Sequence, residues 1–228
     1  GNAATGSGED AVAIGHSLTG SGASSVTIGQ SSTGSGANAI AVGSGVTVSD
    51  SGSIAVGQSA YTSGVNTLVI GNNASISNQN GRIPDREKNK SDGSVVIGAN
   101  ASSILYDSKT SKNVVVIGAG AKADAPLQRS GDGVIAIGEN ARAKHEGAIA
   151  LGKGAEADGH YWNPSRDTGY ASAIAIGTSA KSYRPRSIAI GKEAIITSSE
   201  LGDSIAIGTN ATAASSYGSD IAIGTKSN

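Results

Sequence analysis

The chain has 228 residues, among them 34 glycines, four prolines and one tryptophan, with no phenylalanine, methionine or cysteine, and its formal net charge is −1. Large aromatic side chains normally fill much of a globular core, so the apolar core of this chain must be thin. The balanced charge argues against nucleic acid or an acidic membrane as a partner, and the lack of cysteine excludes disulfides and thiolate metal sites. No Gly-X-Y period is present, which excludes a collagen helix.

A short β-branched run that ends in glycine recurs along the chain. The run AVAIG closes at Gly15, and equivalent runs close every 14 residues as far as Gly71. The same phrase ends at Gly98, Gly118, Gly138, Gly152, Gly177, Gly191, Gly208 and Gly224. After the glycine come small residues two apart, such as Ala141 and Ala143. Each repeat therefore predicts two short strands, and the repeats stack as parallel coils of about 14 residues in an all-β solenoid.

Glycine after the run suits a backbone that turns with positive φ or passes close to the next coil. Successive side chains of the first strand point to opposite faces of the sheet, so alternate residues belong to the same face. Val12 and Ile14, with their equivalents through Ile221 and Ile223, are expected to fill the inside of the coil.

The opposite column of the first strand is also apolar. A strand that is apolar on both faces should be buried on both, so this column is expected to contact other copies of the chain in a homo-oligomer. It consists of Ala13, Ala41, Ala55, Val69, Val96, Val116, Ala136, Ala150, Ala175, Ala189, Ala206 and Ala222. The alanine pairs of the second strand are an alternative interface.

The phrases SSVTIGQSS (24–32), NAIAVG (38–43) and DSIAIG (203–208) resemble the YadA-like head domain of trimeric autotransporter adhesins, and the likeness spans residues 1–228. The resemblance implies a homotrimer of left-handed parallel β-rolls, carried on a stalk and a membrane anchor that this segment lacks. The left hand and the number of subunits come from the resemblance alone. Repeat glycines near both ends predict a longer protein.

The resemblance also implies a function. Such heads are exposed on the bacterial cell surface, outside the outer membrane, and attach the cell to host extracellular matrix, cells or other surfaces in virulence. No repeat here matches Asn-Ser-Val-Ala-Ile-Gly-x-x-Ser in full, so collagen is not the predicted ligand. A structural spacer of a surface fibre and a segment of a phage fibre remain as alternatives.

Longer spacings predict loop insertions after the second strand, at about 78–93, 105–113, 125–133 and 158–170. These loops and one basic turn hold the candidate ligand-binding residues, because aromatic and arginine side chains often anchor partners. The candidates are His160, Tyr161, Trp162, Arg166, Tyr183, Arg184, Arg186, Arg82, Arg86 and Lys88. The alternatives are a tryptophan that caps the roll, a solvated charged loop and ordinary turn chemistry.

No set of convergent catalytic residues is recognisable. His16, His145 and His160 are expected to lie apart from one another and from carboxylates at ligand spacing, so neither a metal nor a cofactor nor an enzymatic activity is predicted. Asn73, Asn100 and Asn210 lie in Asn-x-Ser/Thr sequons, but each is the second residue after a repeat glycine and is expected to form a turn.

Overall fold

A computed structural model describes residues 2–78, 92–105, 112–125, 132–159, 172–197, 203–214 and 219–228. Every regular element in these ranges is a β-strand, and none of them contains a helix that could cross a membrane. Within the described residues, the strands alternate along the chain between two parallel sheets of 13 strands each. The prediction of an all-β parallel solenoid is therefore confirmed.

The first sheet contains the strands that lead into the repeat glycines. They are β2 (Val12–His16), β4 (Val26–Gln30), β6 (Ile40–Ser44), β8 (Ile54–Val56), β10 (Leu68–Ile70), β12 (Val95–Ile97), β14 (Val115–Ile117), β16 (Ile135–Ile137), β18 (Ile149–Leu151), β20 (Ile174–Ile176), β22 (Ile188–Ile190), β24 (Ile205–Ile207) and β26 (Ile221–Ile223).

The second sheet contains the strands that follow the turn after each glycine. They are β1 (Thr5–Gly6), β3 (Thr19–Gly20), β5 (Thr33–Gly34), β7 (Thr47–Val48), β9 (Tyr61–Thr62), β11 (Ser75–Asn78), β13 (Ser102–Leu105), β15 (Lys122–Ala125), β17 (Arg142–Lys144), β19 (Glu156–Asp158), β21 (Lys181–Ser182), β23 (Ile195–Ile196) and β25 (Thr212–Ala213).

The stacking keeps one register along the chain. Ala136 pairs with Ala150 at the 14-residue spacing, and Leu68 pairs with Val95 across the longer segment between β11 and β12. Additional residues are therefore accommodated between a second-sheet strand and the next first-sheet strand, without displacing the ladder.

Left-handed turns join the two sheets. The second residue after a repeat glycine has positive φ, as at Asn73 (54°), Asn100 (55°) and Asn210 (57°). Asparagine tolerates this conformation better than most residues do. The turn role expected for these three sequon residues is therefore confirmed.

The inside of the coil is lined by small residues, which reverses the expected faces of the first strand. Ala41, Ala55, Val69, Val96, Val116, Ala136, Ala150, Ala175, Ala189 and Ala206 are completely buried within the single chain, Ala222 is almost so, and Ala13 in the first coil is half-buried. The assignment of this column to an outer, subunit-contacting face is therefore wrong. The second-strand pairs, such as Ala141 and Ala143, are also completely buried, so they do not form the alternative interface.

The reason is the narrow gap between the sheets. A Cβ atom added to Gly6 would lie 3.5 Å from Ala13 Cβ, and one added to Gly34 would lie 2.5 Å from Thr27 Oγ1. At this separation most opposing positions accept alanine, valine, serine or glycine, and the larger isoleucines of the first strand must point outward. The thin core expected from composition is real, but most of its residues are small, and Leu18, Ile76 and Ile196 are the largest side chains buried in it.

Buried hydroxyls join successive coils inside the roll. Ser53 Oγ donates to the Gly64 carbonyl at 2.6 Å and accepts the Thr67 backbone N–H at 3.1 Å. Ser187 Oγ likewise accepts the Ser204 N–H one coil further on, at 3.2 Å. These bonds satisfy polar groups that would otherwise be costly to bury.

Candidate functional site

The outer face of the first sheet is an aliphatic surface. Every strand places two aliphatic side chains there, and the pairs are Val12 and Ile14, Val26 and Ile28, Ile40 and Val42, Ile54 and Val56, Leu68 and Ile70, Val95 and Ile97, Val115 and Ile117, Ile135 and Ile137, Ile149 and Leu151, Ile174 and Ile176, Ile188 and Ile190, Ile205 and Ile207, and Ile221 and Ile223. We call this surface the aliphatic face.

The aliphatic face remains accessible in the single chain. Even well inside the stack, Ile117 is 36% exposed and Leu151 is 41% exposed. With strands about 4.8 Å apart, 13 strands give a surface roughly 60 Å long. Soluble monomers rarely expose a continuous apolar surface of this extent, which usually marks a protein interface.

The outer face of the second sheet is polar, and its character changes along the roll. The parallel register stacks Thr5, Thr19, Thr33 and Thr47 in one row, so the first coils present a ladder of hydroxyl groups. Further along, the same row contains Lys122, Arg142, Glu156 and Lys181. The two outer faces of the roll therefore differ sharply in polarity.

Ion pairs connect the charged rows. Arg142 donates to Asp124 Oδ2 through Nε at 2.9 Å and Nη2 at 2.8 Å. Lys144 Nζ donates to Asp158 Oδ2 at 2.6 Å, and His145 Nε2 lies 3.0 Å from Asp158 Oδ1. His145 is only 2% exposed. The expectation that His145 lies apart from carboxylates is therefore wrong, because the coil stacks it on a residue 13 positions away.

The same contacts fix the charge state of Asp158. Burial alone would raise its pKa, but the hydrogen bonds to His145 and Lys144 outweigh this effect and lower the pKa from 3.8 to about 2. The Asp158 carboxylate therefore stabilises the folded chain at pH values above 3.8, and this contribution is lost as the pH falls towards 2.

The pH dependence of unfolding tests this pair. Between pH 5 and pH 2 the parent should lose roughly 2 kcal/mol more free energy of unfolding than Asp158→Asn does, by linkage. Urea unfolding followed by circular dichroism at several pH values measures the difference. Asp203→Asn is the matched control, since its exposed pair with Arg186 should contribute much less. Parallel pH profiles for the parent and Asp158→Asn would contradict the assignment.

Tyr183 and Arg186 are held by contacts within the protein. The Tyr183 hydroxyl donates to Glu156 Oε2 at 3.1 Å, and burial followed by the nearby Glu156 charge raises the pKa of Tyr183. Arg186 forms a two-pronged pair with Asp203, at 2.7 and 2.9 Å, which raises the pKa of the guanidinium and lowers that of the carboxyl. Arg184 between them is half-buried. A ligand-binding role for these three residues stays a prediction.

The other predicted ligand-binding residues lie outside the described residues. They are His160, Tyr161, Trp162, Arg166, Arg82, Arg86 and Lys88. Among the residues that the structure does describe, no group of three or more histidine or carboxylate side chains could hold a metal ion.

Two parallel sheets built from stacked coils, with small residues inside and one aliphatic outer face, define this protein as a parallel β-roll. The YadA head domain repeat (2 copies) matches residues 51–74, 130–155 and 171–194, and each match contains two repeat glycines 14 positions apart. The resemblance is thereby confirmed, since these three segments match the repeats of the YadA head domain, a family of adhesin type. No curated protein matches the chain.

Proposed function

We propose that the chain is the head of a bacterial trimeric adhesin, which attaches the cell to host extracellular matrix, host cells or other surfaces and has no enzymatic activity. The family supports the adhesive role. The observation that carries the assembly is the aliphatic face, which is continuous over all 13 strands of the first sheet. In the proposed trimer, the aliphatic face of each chain packs against the aliphatic faces of two further copies.

A second copy fits this face better than a different partner does. The face repeats the same pair of branched aliphatic side chains in each coil, so equivalent coils of identical chains meet at the same height around a common axis. A surface roughly 60 Å long also offers the area that a stable interface needs. The polar outer faces of the second sheets then point away from the axis, where they contact ligands.

A trimer explains how such a head binds without a deep pocket. Three copies of each loop and each outer face act together, so that weak contacts combine into firm attachment. A structural spacer of a surface fibre or a phage fibre segment would share the aliphatic face but would have no ligand.

Solid-phase binding to matrix proteins and cells tests the proposal. The parent chain should bind at least one of these surfaces, and deletion of residues 159–169 or 79–92 should weaken binding about tenfold if these loops supply anchoring side chains. A scrambled 159–169 segment of equal length controls for loop length. If the parent protein is trimeric but binds none of these surfaces, the result would favour the structural spacer. If both deletion variants bind as well as the parent, the two loops are not the binding sites.

A further inference from the structure

A groove runs along the second sheet where the turns after the repeat glycines meet its outer face. Its volume is about 660 Å³, within the range of small-molecule sites. The lining includes Asn100 and Asn140 from the turns and Ser75, Ser102 and Lys122 from the strands β11, β13 and β15. It crosses four successive coils and lies outside the aliphatic face.

The groove exists because small residues interrupt two rows of larger ones. In the strand row, the register runs from Tyr61 through Ser75 and Ser102 to Lys122, so two short side chains lie between two long ones. In the turn row, Gly120 separates the coils of Asn100 and Asn140. The sequence therefore shapes the groove through residue size, while the strand register stays the same.

The groove walls offer both hydrogen-bond donors and acceptors. Within the described residues, the hydroxyls of Ser75 and Ser102 have no side-chain partner; Ser75 is half-buried and Ser102 is 8% exposed. Asn73 Nδ2 donates to Asn100 Oδ1 at 3.0 Å, which fixes the orientation of both amides and leaves further donors and acceptors for a ligand. Hydroxyl and amide groups of this kind match the hydroxyls of a sugar.

The groove also contains one positive charge that has no carboxylate partner among the described residues. Lys122 is exposed, and no carboxylate in the described part of the chain pairs with it. Glu139 also lines the groove, but its carboxylate pairs with Lys153 at 2.9 Å, and the neighbouring Arg142 pairs with Asp124. A ligand that brings a carboxylate would complete the charge balance at Lys122.

We propose that this groove binds a sugar that carries a carboxylate. Lys122 Nζ contacts the carboxylate, while the serine hydroxyls and asparagine amides hydrogen-bond the ring hydroxyls. A peptide ligand fits less well, because Ile104 is the only large apolar side chain among the described residues of the lining and the backbone groups along the groove already belong to sheet ladders. The inference rests on the proposed adhesive function, to which it adds a class of ligand.

Titration calorimetry with defined sugars tests the groove. Sialyllactose presents the carboxylate on a terminal sialic acid, a hyaluronan tetrasaccharide presents it on uronic acids, and lactose is the neutral probe. We expect at least one acidic sugar to bind about tenfold more tightly than lactose, since a hydrogen bond to a charged group gives a preference of this size. The acidic sugar that binds identifies which of the two sources fits.

Two variants of the full chain locate the site. Lys122→Gln should remove the preference for the acidic sugar, and Gly120→Asn should abolish binding by filling the groove with a residue that tolerates the local φ of 65°. Lys181→Gln is the matched control, because Lys181 lies in the same outward row but outside the groove. Circular dichroism and thermal unfolding check that each variant remains folded.

The results separate the groove from the proposed function. Absence of binding by every sugar, or unchanged acidic preference in folded Lys122→Gln, would overturn the groove assignment. If the parent chain binds no sugar but still attaches to matrix or cells, the proposed adhesive function stands and only the sugar-binding role of the groove is excluded. If the parent binds neither sugars nor any surface, both fail.

Discussion

Glutamate in place of Ala150 is expected to unfold the roll, whereas glutamate in place of the adjacent Leu151 is expected to leave the chain folded and prevent assembly. Ala150 is completely buried and is stacked between Ala136 and Ala175. A charged side chain there has neither room nor a partner, so the free energy of unfolding should fall by more than about 4 kcal/mol. That loss is a large part of the stability of a typical domain.

Leu151 should behave in the opposite way because its side chain points out of the coil. It is 41% exposed in the single chain, so a charge at this position costs the isolated fold little. In the proposed trimer the same charge would meet two copies of itself in an apolar interface, where like charges without partners are strongly unfavourable. Leu151→Glu should therefore give a folded monomer.

Circular dichroism and light scattering distinguish these outcomes. Thr19→Glu is the control, since it introduces the same side chain on the exposed outer face of the second sheet and should change neither the fold nor the assembly. A Leu151→Glu chain that assembles like the parent would exclude the aliphatic face as the interface. A folded monomer from Ala150→Glu would instead restore the small-residue column as the contact surface.

The two faces of the first strand, which are reversed relative to the prediction, show how much of the fold the sequence alone can predict. The 14-residue period, the parallel stacking and the two strands per coil follow from spacing, and the register pairs confirm them, as at Ile135 and Ile149. Alternation separates the two faces of a strand but does not say which one is inside. Size suggested that isoleucine fills the core, yet the gap between the sheets admits only smaller side chains at these positions. Glycine at 20 and 34 in the opposing strands signals that gap.

The polar contacts were predictable only in part. Lys144 and Asp158 are 14 residues apart, so their pairing follows once the register is known. Asp124 and Arg142 are 18 apart and meet across a longer segment, which spacing alone does not align. The groove depends on the combination of Gly120 with the two serines of neighbouring coils, and none of these residues is distinctive by itself.

Alanine in place of Gly138 is expected to destabilise the roll far more than alanine in place of Gly133 in the same coil. Gly138 has a φ of 133°, and a Cβ atom there would overlap the carbonyl oxygen of Gly152 in the next coil. The backbone would have to leave a conformation that only glycine adopts readily and the two coils would have to separate, which should cost about 3 kcal/mol or more. Because each coil supports its neighbours, one such change weakens the stack on both sides.

Gly133 isolates the effect of close approach from that of backbone strain. Its φ is 68°, and a Cβ atom there would meet no atom of the described residues within 4 Å. Only the ordinary strain of a left-handed alanine remains, about 1 kcal/mol, and asparagine should reduce it further. Urea unfolding followed by circular dichroism gives both free energies. If Gly138→Ala and Gly133→Ala lower the free energy of unfolding equally, the repeat glycines are needed only for the conformation of the turn. The close spacing of the coils would then have another cause.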